Sequence, residues 1–159
     1  KPLQDVLLLL HDFDGSLDIA PMIAETCDLV MASVHRFPGE TADIKQGASG
    51  CTIEQAVDIE FRLSMAALDN PDVDILGHPF GMTIRRFGGT PPWPLVERLI
   101  AKAATAGKAF EINARYHDNP AMLLGACLAA GAPVSFGSNA HSLGEVGALL
   151  RHPDWQVAS

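Results

Sequence analysis

The sequence predicts an α/β protein in which parallel strands alternate with helices that cover both faces of one sheet. Two observations predict this class. Long segments with helical periodicity and recognisable helix ends separate a series of short apolar runs. Those runs are nearly continuous rather than alternating, as in strands buried on both faces; they are residues 6–10, 29–34, 73–77, 109–113 and 134–137.

Two capping boxes predict where helices begin. Thr52 and Gln55 have the spacing of a capping box, and Ser142 and Glu145 repeat it before a last helix. The first box is followed by apolar residues three or four positions apart, which form one stripe on a helix; they are Ile53, Val57, Phe61, Met65 and Leu68.

Proline and glycine predict the ends of two further helices. Pro94 suits a first helical turn and Gly107 suits the position after a last one. Pro120 and Gly131 repeat this arrangement around the next helix. The segment 86–94, rich in glycine and proline, is predicted to be a loop.

Alternation of strand and helix implies a parallel sheet with right-handed crossovers, either open or closed into a barrel. An eight-stranded barrel takes about 250 residues, whereas this chain has 159 residues and five predicted strands. We therefore expect one domain, residues 1–159, in the form of an open barrel fragment. An oligomer or a missing N-terminal segment could cover its exposed edges.

The composition excludes several classes of function. The formal charge of −8 argues against a nucleic-acid-binding surface. Three cysteines without C-x-x-C spacing predict reduced thiols in a cytoplasmic protein. No apolar run approaches the roughly 20 residues that span a bilayer.

The start has neither a signal peptide nor an initiator Met, so we expect the chain to begin within a longer protein.

The positions of the histidines carry the functional argument. His11, His35 and His78 each follow a predicted strand directly, and His117 and His141 each follow one by four residues. Parallel strands direct their carboxyl ends to one face, where α/β proteins place their active sites. These side chains are therefore predicted to converge on one rim, as metal ligands or catalytic groups. For His117 alone, loop surface is the alternative.

The chemistry of such a rim suits a metal-dependent hydrolase. Imidazole-rich sites bind zinc, iron or manganese, and Asp12, Asp14 and Glu111 add carboxylates nearby. Paired metals polarise phosphoryl groups and activate water. Glu111 lies inside an apolar strand, where it either orients a ligand histidine or accepts from a neighbouring loop amide. No serine-hydrolase, P-loop or dinucleotide motif is present.

Three arginines follow rim strands, and an arginine there can bind a phosphate through two hydrogen bonds. Arg85 and Arg86 follow His78 by several residues, and Arg36 follows His35 directly. Arg85 and Arg36 are the predicted phosphate-binding side chains.

Four segments resemble, in order and spacing, the motifs of the PHP (polymerase and histidinol phosphatase) family. They are D-L-V-M-A-S-V-H (28–35), D-I-L-G-H-P (74–79), F-E-I-N (110–113) and F-G-S-N-A-H (136–141). The resemblance covers roughly residues 6–150. It implies a partial distorted seven-stranded (β/α) barrel of TIM type with a centre of two or three metals. The family includes histidinol-phosphate phosphatases, other phosphoesterases and proofreading domains of some DNA polymerases.

The resemblance also implies a ligand set. His35 and His78 match metal-binding histidines, and Asn139 and His141 match the final Asp-x-His pair. His11 or Asp12 occupies the place of a bridging glutamate. The family's N-terminal His-x-His motif is absent, and two missing strands added to five would make seven. Asn139 replaces a carboxylate by a neutral amide oxygen.

The function predicted from all of this is metal-dependent hydrolysis of a small phosphorylated substrate by a metal-activated water, with Zn, Mn or Fe as cofactor. One alternative is a non-catalytic PHP-like module with a degraded metal site, which binds a partner or acts within a larger enzyme. The other is a non-phosphatase metal hydrolase on a related barrel.

Overall fold

A computed structural model of the chain describes residues 5–9, 12–18, 26–38 and 51–157. Five strands are present in this part of the chain: β1 Asp5–Leu9, β2 Leu29–Ser33, β3 Ile75–Gly77, β4 Ala109–Asn113 and β5 Val134–Gly137. The α-helices are α1 Ile53–Asp69, α2 Gly81–Arg85, α3 Trp93–Ala106 and α4 Pro120–Ala130. Three short 3₁₀ helices follow: Leu143–Glu145, Ala148–Arg151 and Pro153–Val157. All five predicted strands are confirmed, with ends shifted by two residues at most.

The strands form one parallel sheet in the order β1-β2-β3-β4-β5. Strand order therefore follows chain order, which is the arrangement of a barrel wall. Doubly wound open sheets instead reverse direction at a switch point. The α/β class and the parallel sheet are confirmed, and the partial seven-stranded (β/α) barrel stays a prediction.

Helix ends form where the sequence predicts them. Thr52 Oγ1 accepts from the Gln55 N–H and the Gln55 side chain accepts from the Thr52 N–H, so the first capping box is complete. Gly107 and Gly131 adopt the left-handed conformation after α3 and α4, with φ of 68° and 72°. Only glycine reaches this region without a steric cost, so these residues stop their helices cleanly.

The prediction that Ser142 and Glu145 form a capping box at the start of a last helix is wrong. Ser142 makes no side-chain capping bond, and a single turn of 3₁₀ helix follows it. The Glu145 carboxylate instead accepts from the His141 N–H at 2.6 Å. The proline-rich loop is shorter than predicted, since Trp93 and Pro94 already belong to the first turn of α3.

The core lies between the sheet and the helices α1, α3 and α4. Alternate strand residues point to this side and are fully buried; examples are Ala32, Leu76, Phe110 and Ile112. The residues between them, such as Met31 and Ile75, face the opposite side of the sheet and are half-buried.

Two large apolar side chains at the β5 edge of the sheet are exposed to solvent. Phe136 on β5 is 55% exposed, and Leu143 just beyond it is 93% exposed. No helix among the described residues is long and apolar enough to cross a membrane.

Candidate active site

His35 and His78 meet at the carboxyl ends of neighbouring strands. Ser33 at the end of β2 pairs with Gly77 at the end of β3, so the histidines that follow are brought side by side. Their Nε2 atoms lie 3.0 Å apart, and the rings are nearly parallel with centroids 4.9 Å apart. The pair was predicted from sequence, and the sheet register explains the contact.

Both imidazoles are held in the neutral form. Burial and, to a smaller extent, the charge of the neighbouring His35 lower the pKa of His78 to about 3. Burial also lowers the pKa of His35, with a smaller contribution from the Arg36 charge. Neutral imidazole is the form that binds metal, because its ring nitrogen keeps a free lone pair.

The backbone that presents His78 is strained. His78 and Phe80 have φ of 28° and 64°, a region that residues with a Cβ rarely adopt. Such outliers cluster at functional sites, where surrounding contacts enforce them. The enforcing contact here is a 2.6 Å hydrogen bond from the His78 N–H to Glu111 Oε2.

Glu111 itself is fixed inside the sheet. Its Oε1 accepts from Asn113 Nδ2 at 2.9 Å, and burial raises the pKa of the carboxyl group. A Cβ on Gly137 would lie 1.9 Å from Glu111 Oε1, so glycine at that position makes the room for the carboxylate. Of the two roles expected for Glu111, the structure shows the contact to a loop amide, and that amide belongs to His78.

Tyr116 was not identified from the sequence. Its ring stacks on His78 with centroids 4.4 Å apart, and its hydroxyl accepts from Asn139 Nδ2 at 3.0 Å. Asn139 has a left-handed φ of 45°. Its position in the sequence could have identified it, because Tyr116 lies three residues after β4 and therefore on the rim. Asn139 is thus connected to the histidine pair through the tyrosine.

The other predicted ligands are placed differently. His141 is exposed, and Asp12 is exposed with Oδ1 accepting from the adjacent Phe13 N–H at 2.7 Å. His11 lies outside the described residues. Within those residues, no three His, Cys, Asp or Glu side chains lie close enough to hold one metal ion. Ligation by His141, Asn139, His11 and Asp12 therefore stays a prediction.

Two arginines share a cleft with the histidine pair. The cleft has a volume of about 210 Å³ and is lined by Val34, His35, His78, Gly81, Met82, Arg85, Arg86 and Tyr116. Arg85 lies in the last turn of α2 and donates to the carbonyl oxygen of Arg115. Arg36 does not line this cleft, and its buried Nε has no hydrogen-bond partner among the described residues.

His117 is buried and structural, contrary to both expectations for it. Its Nδ1 accepts from the Asn113 N–H at 3.0 Å, and its Nε2 lies 3.1 Å from the Pro79 carbonyl oxygen. These partners fix the tautomer with the proton on Nε2. Burial lowers the pKa of His117, so the ring is neutral and has no nitrogen left for a metal.

The known proteins that are similar in sequence to this chain are probable phosphatases. A probable phosphatase of Thermoanaerobacter sp. (strain X514) is 32% identical over 114 residues, which are 70% of this chain and 37% of the relative. A probable phosphatase of Syntrophotalea carbinolica is 28% identical over 136 residues, which are 80% of this chain and 48% of the relative. No family model matches the chain.

A solved structure shares the fold. Histidinol phosphate phosphatase from Lactococcus lactis, complexed with zinc, L-histidinol and phosphate, superposes with a TM-score of 0.60 at 19% identity. The match covers 88% of this chain and 64% of that protein. This chain thus spans less than two thirds of each of these proteins. It shares the fold of the matched part of the L. lactis protein, and its sequence is similar to those of probable phosphatases.

Proposed function

We propose that this chain, residues 1–159, is the C-terminal part of a PHP domain that hydrolyses small phosphate esters with the help of bound divalent metal. The observation that carries the proposal is the pair of neutral imidazoles, His35 and His78, 3.0 Å apart in a cleft that also contains Arg85 and Arg86. The phosphatase relatives support the reaction class. A cytoplasmic location belongs to the same proposal.

The histidine pair fits the metal that the fold implies. Two nitrogens bound at about 2.0–2.1 Å to one tetrahedral zinc lie roughly 3.3 Å apart, close to the observed separation of the Nε2 atoms. His35 and His78 would hold the metal, and His141, Asn139 and His11 or Asp12 would complete its coordination. When bound, the metal would supply Lewis-acid polarisation of the phosphoryl group and an acidified water. Zinc, manganese and iron all suit this donor set.

Other side chains of this protein would bind the substrate and hold the metal ligands in place. Arg85 would bind phosphate oxygens through its guanidinium, and Arg36, which directly follows His35, would add positive charge. Glu111 would hold the His78 backbone in place, and Tyr116 would hold its ring. The phosphate and L-histidinol bound to the L. lactis enzyme support a small phosphorylated substrate.

Elemental analysis and phosphatase assays test this proposal together. Purified protein is compared with a His35→Ala/His78→Ala double variant and with His152→Ala, a histidine away from the rim. We expect bound metal in the wild type and in His152→Ala, and its loss in the double variant. When the metal is lost, the rate of hydrolysis of p-nitrophenyl phosphate should fall about 100-fold or more, because a bound metal lowers the barrier of this reaction by several kcal/mol. Metal retained in the double variant would contradict the proposal.

His141→Ala resolves the untested ligand. Loss of metal in this variant would add His141 to the site, and full metal content would exclude it. The result matters because His141 is exposed in the structure.

A second candidate is a non-catalytic module with a degraded metal site. Asn139, which replaces the family's aspartate, donates its amide to Tyr116. A chain that binds no metal and hydrolyses no phosphate ester would favour this candidate.

A further inference from the structure

A second cavity lies at the same end of the sheet as the histidine pair, but on the helix side. It has a volume of about 330 Å³, and we refer to it as the helix-side cavity. Phe110 of β4, Trp93 of α3, and Met122 and Leu123 of α4 contribute to its walls. Small-molecule sites have volumes of roughly 300–1,000 Å³ and mostly apolar walls with a few polar groups, so this cavity has the dimensions and lining of one.

The helix-side cavity is separate from the cleft of the histidine pair. Tyr116 lines both, with its ring stacked on His78. The rest of the partition is the segment Pro79–Phe80, joined to His117 by the contact between Nε2 and the Pro79 carbonyl oxygen. A molecule in the helix-side cavity would therefore contact the strained backbone next to His78 without entering the cleft.

The chemistry of the walls points to an aromatic body. Trp93 and Tyr116 line the cavity and are partly exposed, so a bound molecule can reach their rings. Phe80 and Phe110 also line it but are each only 1% exposed. Aromatic side chains favour stacked or edge-to-face contacts with another ring.

The polar groups at the mouth point to a cation. Asp118 and Asn119 line the cavity and are exposed, so they stand where it opens to solvent. Asn119 is the N-cap residue of α4 but makes no side-chain capping bond, which leaves its amide for other contacts. No lysine or arginine is found among the described residues that line the cavity. The charge of −8 over the whole chain also attracts a cation.

We propose that the helix-side cavity binds a small aromatic amine, with its ring against Trp93 and its ammonium group at Asp118. This site does not depend on the proposed phosphatase activity, because no metal and no rim residue other than the shared Tyr116 takes part in it.

Calorimetric titration with phenethylamine tests the proposal, and 3-phenylpropionate serves as the probe with a carboxylate in place of the amine. We expect saturable binding of phenethylamine only. Asp118→Asn should weaken it about three- to fivefold, the range supported by a partly exposed ion pair. Met122→Arg should weaken it about tenfold or more by placing a guanidinium at the mouth beside Asp118. Leu128→Arg is the matched control, since Leu128 is exposed on the same helix but outside the cavity.

Three results would overturn the proposal. They are the absence of saturable phenethylamine binding, equal binding of 3-phenylpropionate, and equal effects of Met122→Arg and Leu128→Arg.

Discussion

The carboxylate of Glu111 accepts a 2.6 Å hydrogen bond from the backbone N–H of His78. The two residues are 33 positions apart: Glu111 lies on β4, and His78 directly follows the neighbouring strand β3. The contact fixes a histidine whose φ of 28° is unfavourable for a residue with a Cβ. A buried group on β4 thus determines how the end of β3 presents its imidazole.

Replacing Glu111 by glutamine is expected to weaken both the fold and the metal site. Oε2 accepts from the His78 N–H, and Oε1 accepts from Asn113 Nδ2. The NH₂ group of a glutamine at this position would therefore face one of these two N–H donors and could not accept from it. The free energy of unfolding should fall by about 1–3 kcal/mol. Metal affinity should fall roughly 10- to 100-fold, as for other groups that position a ligand.

Urea denaturation and metal titration measure the two effects of Glu111→Gln. Glu97→Gln, at an exposed position of α3, is the control and should change neither quantity. Unchanged metal affinity in Glu111→Gln would show that His78 is held by other contacts.

His117→Phe is expected to cost stability without loss of metal. The substitution leaves the Asn113 N–H and the Pro79 carbonyl without their partner in a buried site. Each unsatisfied group costs about 1–3 kcal/mol. Denaturation should therefore show a large loss, while elemental analysis shows full metal content. His35→Ala should lose metal instead, and metal loss in His117→Phe would contradict the structural role.

Stability should fall as the pH rises, because Glu60 is buried. Glu60 accepts from the N–H groups of Met82 and Thr83 at 3.0 and 2.7 Å. Burial still raises its pKa from 4.5 to about 7. The folded state then holds a proton that the unfolded chain releases above about pH 4.5. The contribution is therefore complete below about pH 4.5 and is lost as the pH rises through about 7.

The loss from Glu60 should amount to about 3 kcal/mol, since one pKa unit corresponds to about 1.4 kcal/mol. Denaturation at pH 5 and pH 8 measures it. Glu60→Gln has no proton to release, so its stability should change less between these two values. An equal change in the variant and the wild type would assign the pH dependence to other groups.

The two predicted capping boxes give a matched pair of substitutions. Thr52→Ala removes the acceptor of the Gln55 N–H at the start of α1 and should cost about 1 kcal/mol. Ser142→Ala should change the free energy of unfolding little, because Ser142 makes no capping bond. Thermal unfolding of both variants checks the difference, and equal losses would mean that Ser142 has a role beyond capping.

The amino-acid sequence by itself determined the elements and their ends. Apolar runs of four to six residues gave the five strands, and Thr52, Gly107 and Gly131 marked helix ends, because these preferences act over one or two turns of chain. Residues placed directly after strands, such as His35 and His78, could be assigned to the rim for the same reason. The Ser142 box failed because a capping motif forms a helix only where the residues after it can pack as one.

Only the tertiary structure decided which of these side chains meet. Register across β2 and β3 put His35 against His78, 43 residues apart, whereas His117 turned to the helix side and used both ring nitrogens. The partner of Glu111 and the stacking of Tyr116 on His78 were decided in the same way. Local sequence fixes which direction along a strand leads to the rim. The contacts at the rim depend on strand pairing and on burial, which join residues far apart in the chain.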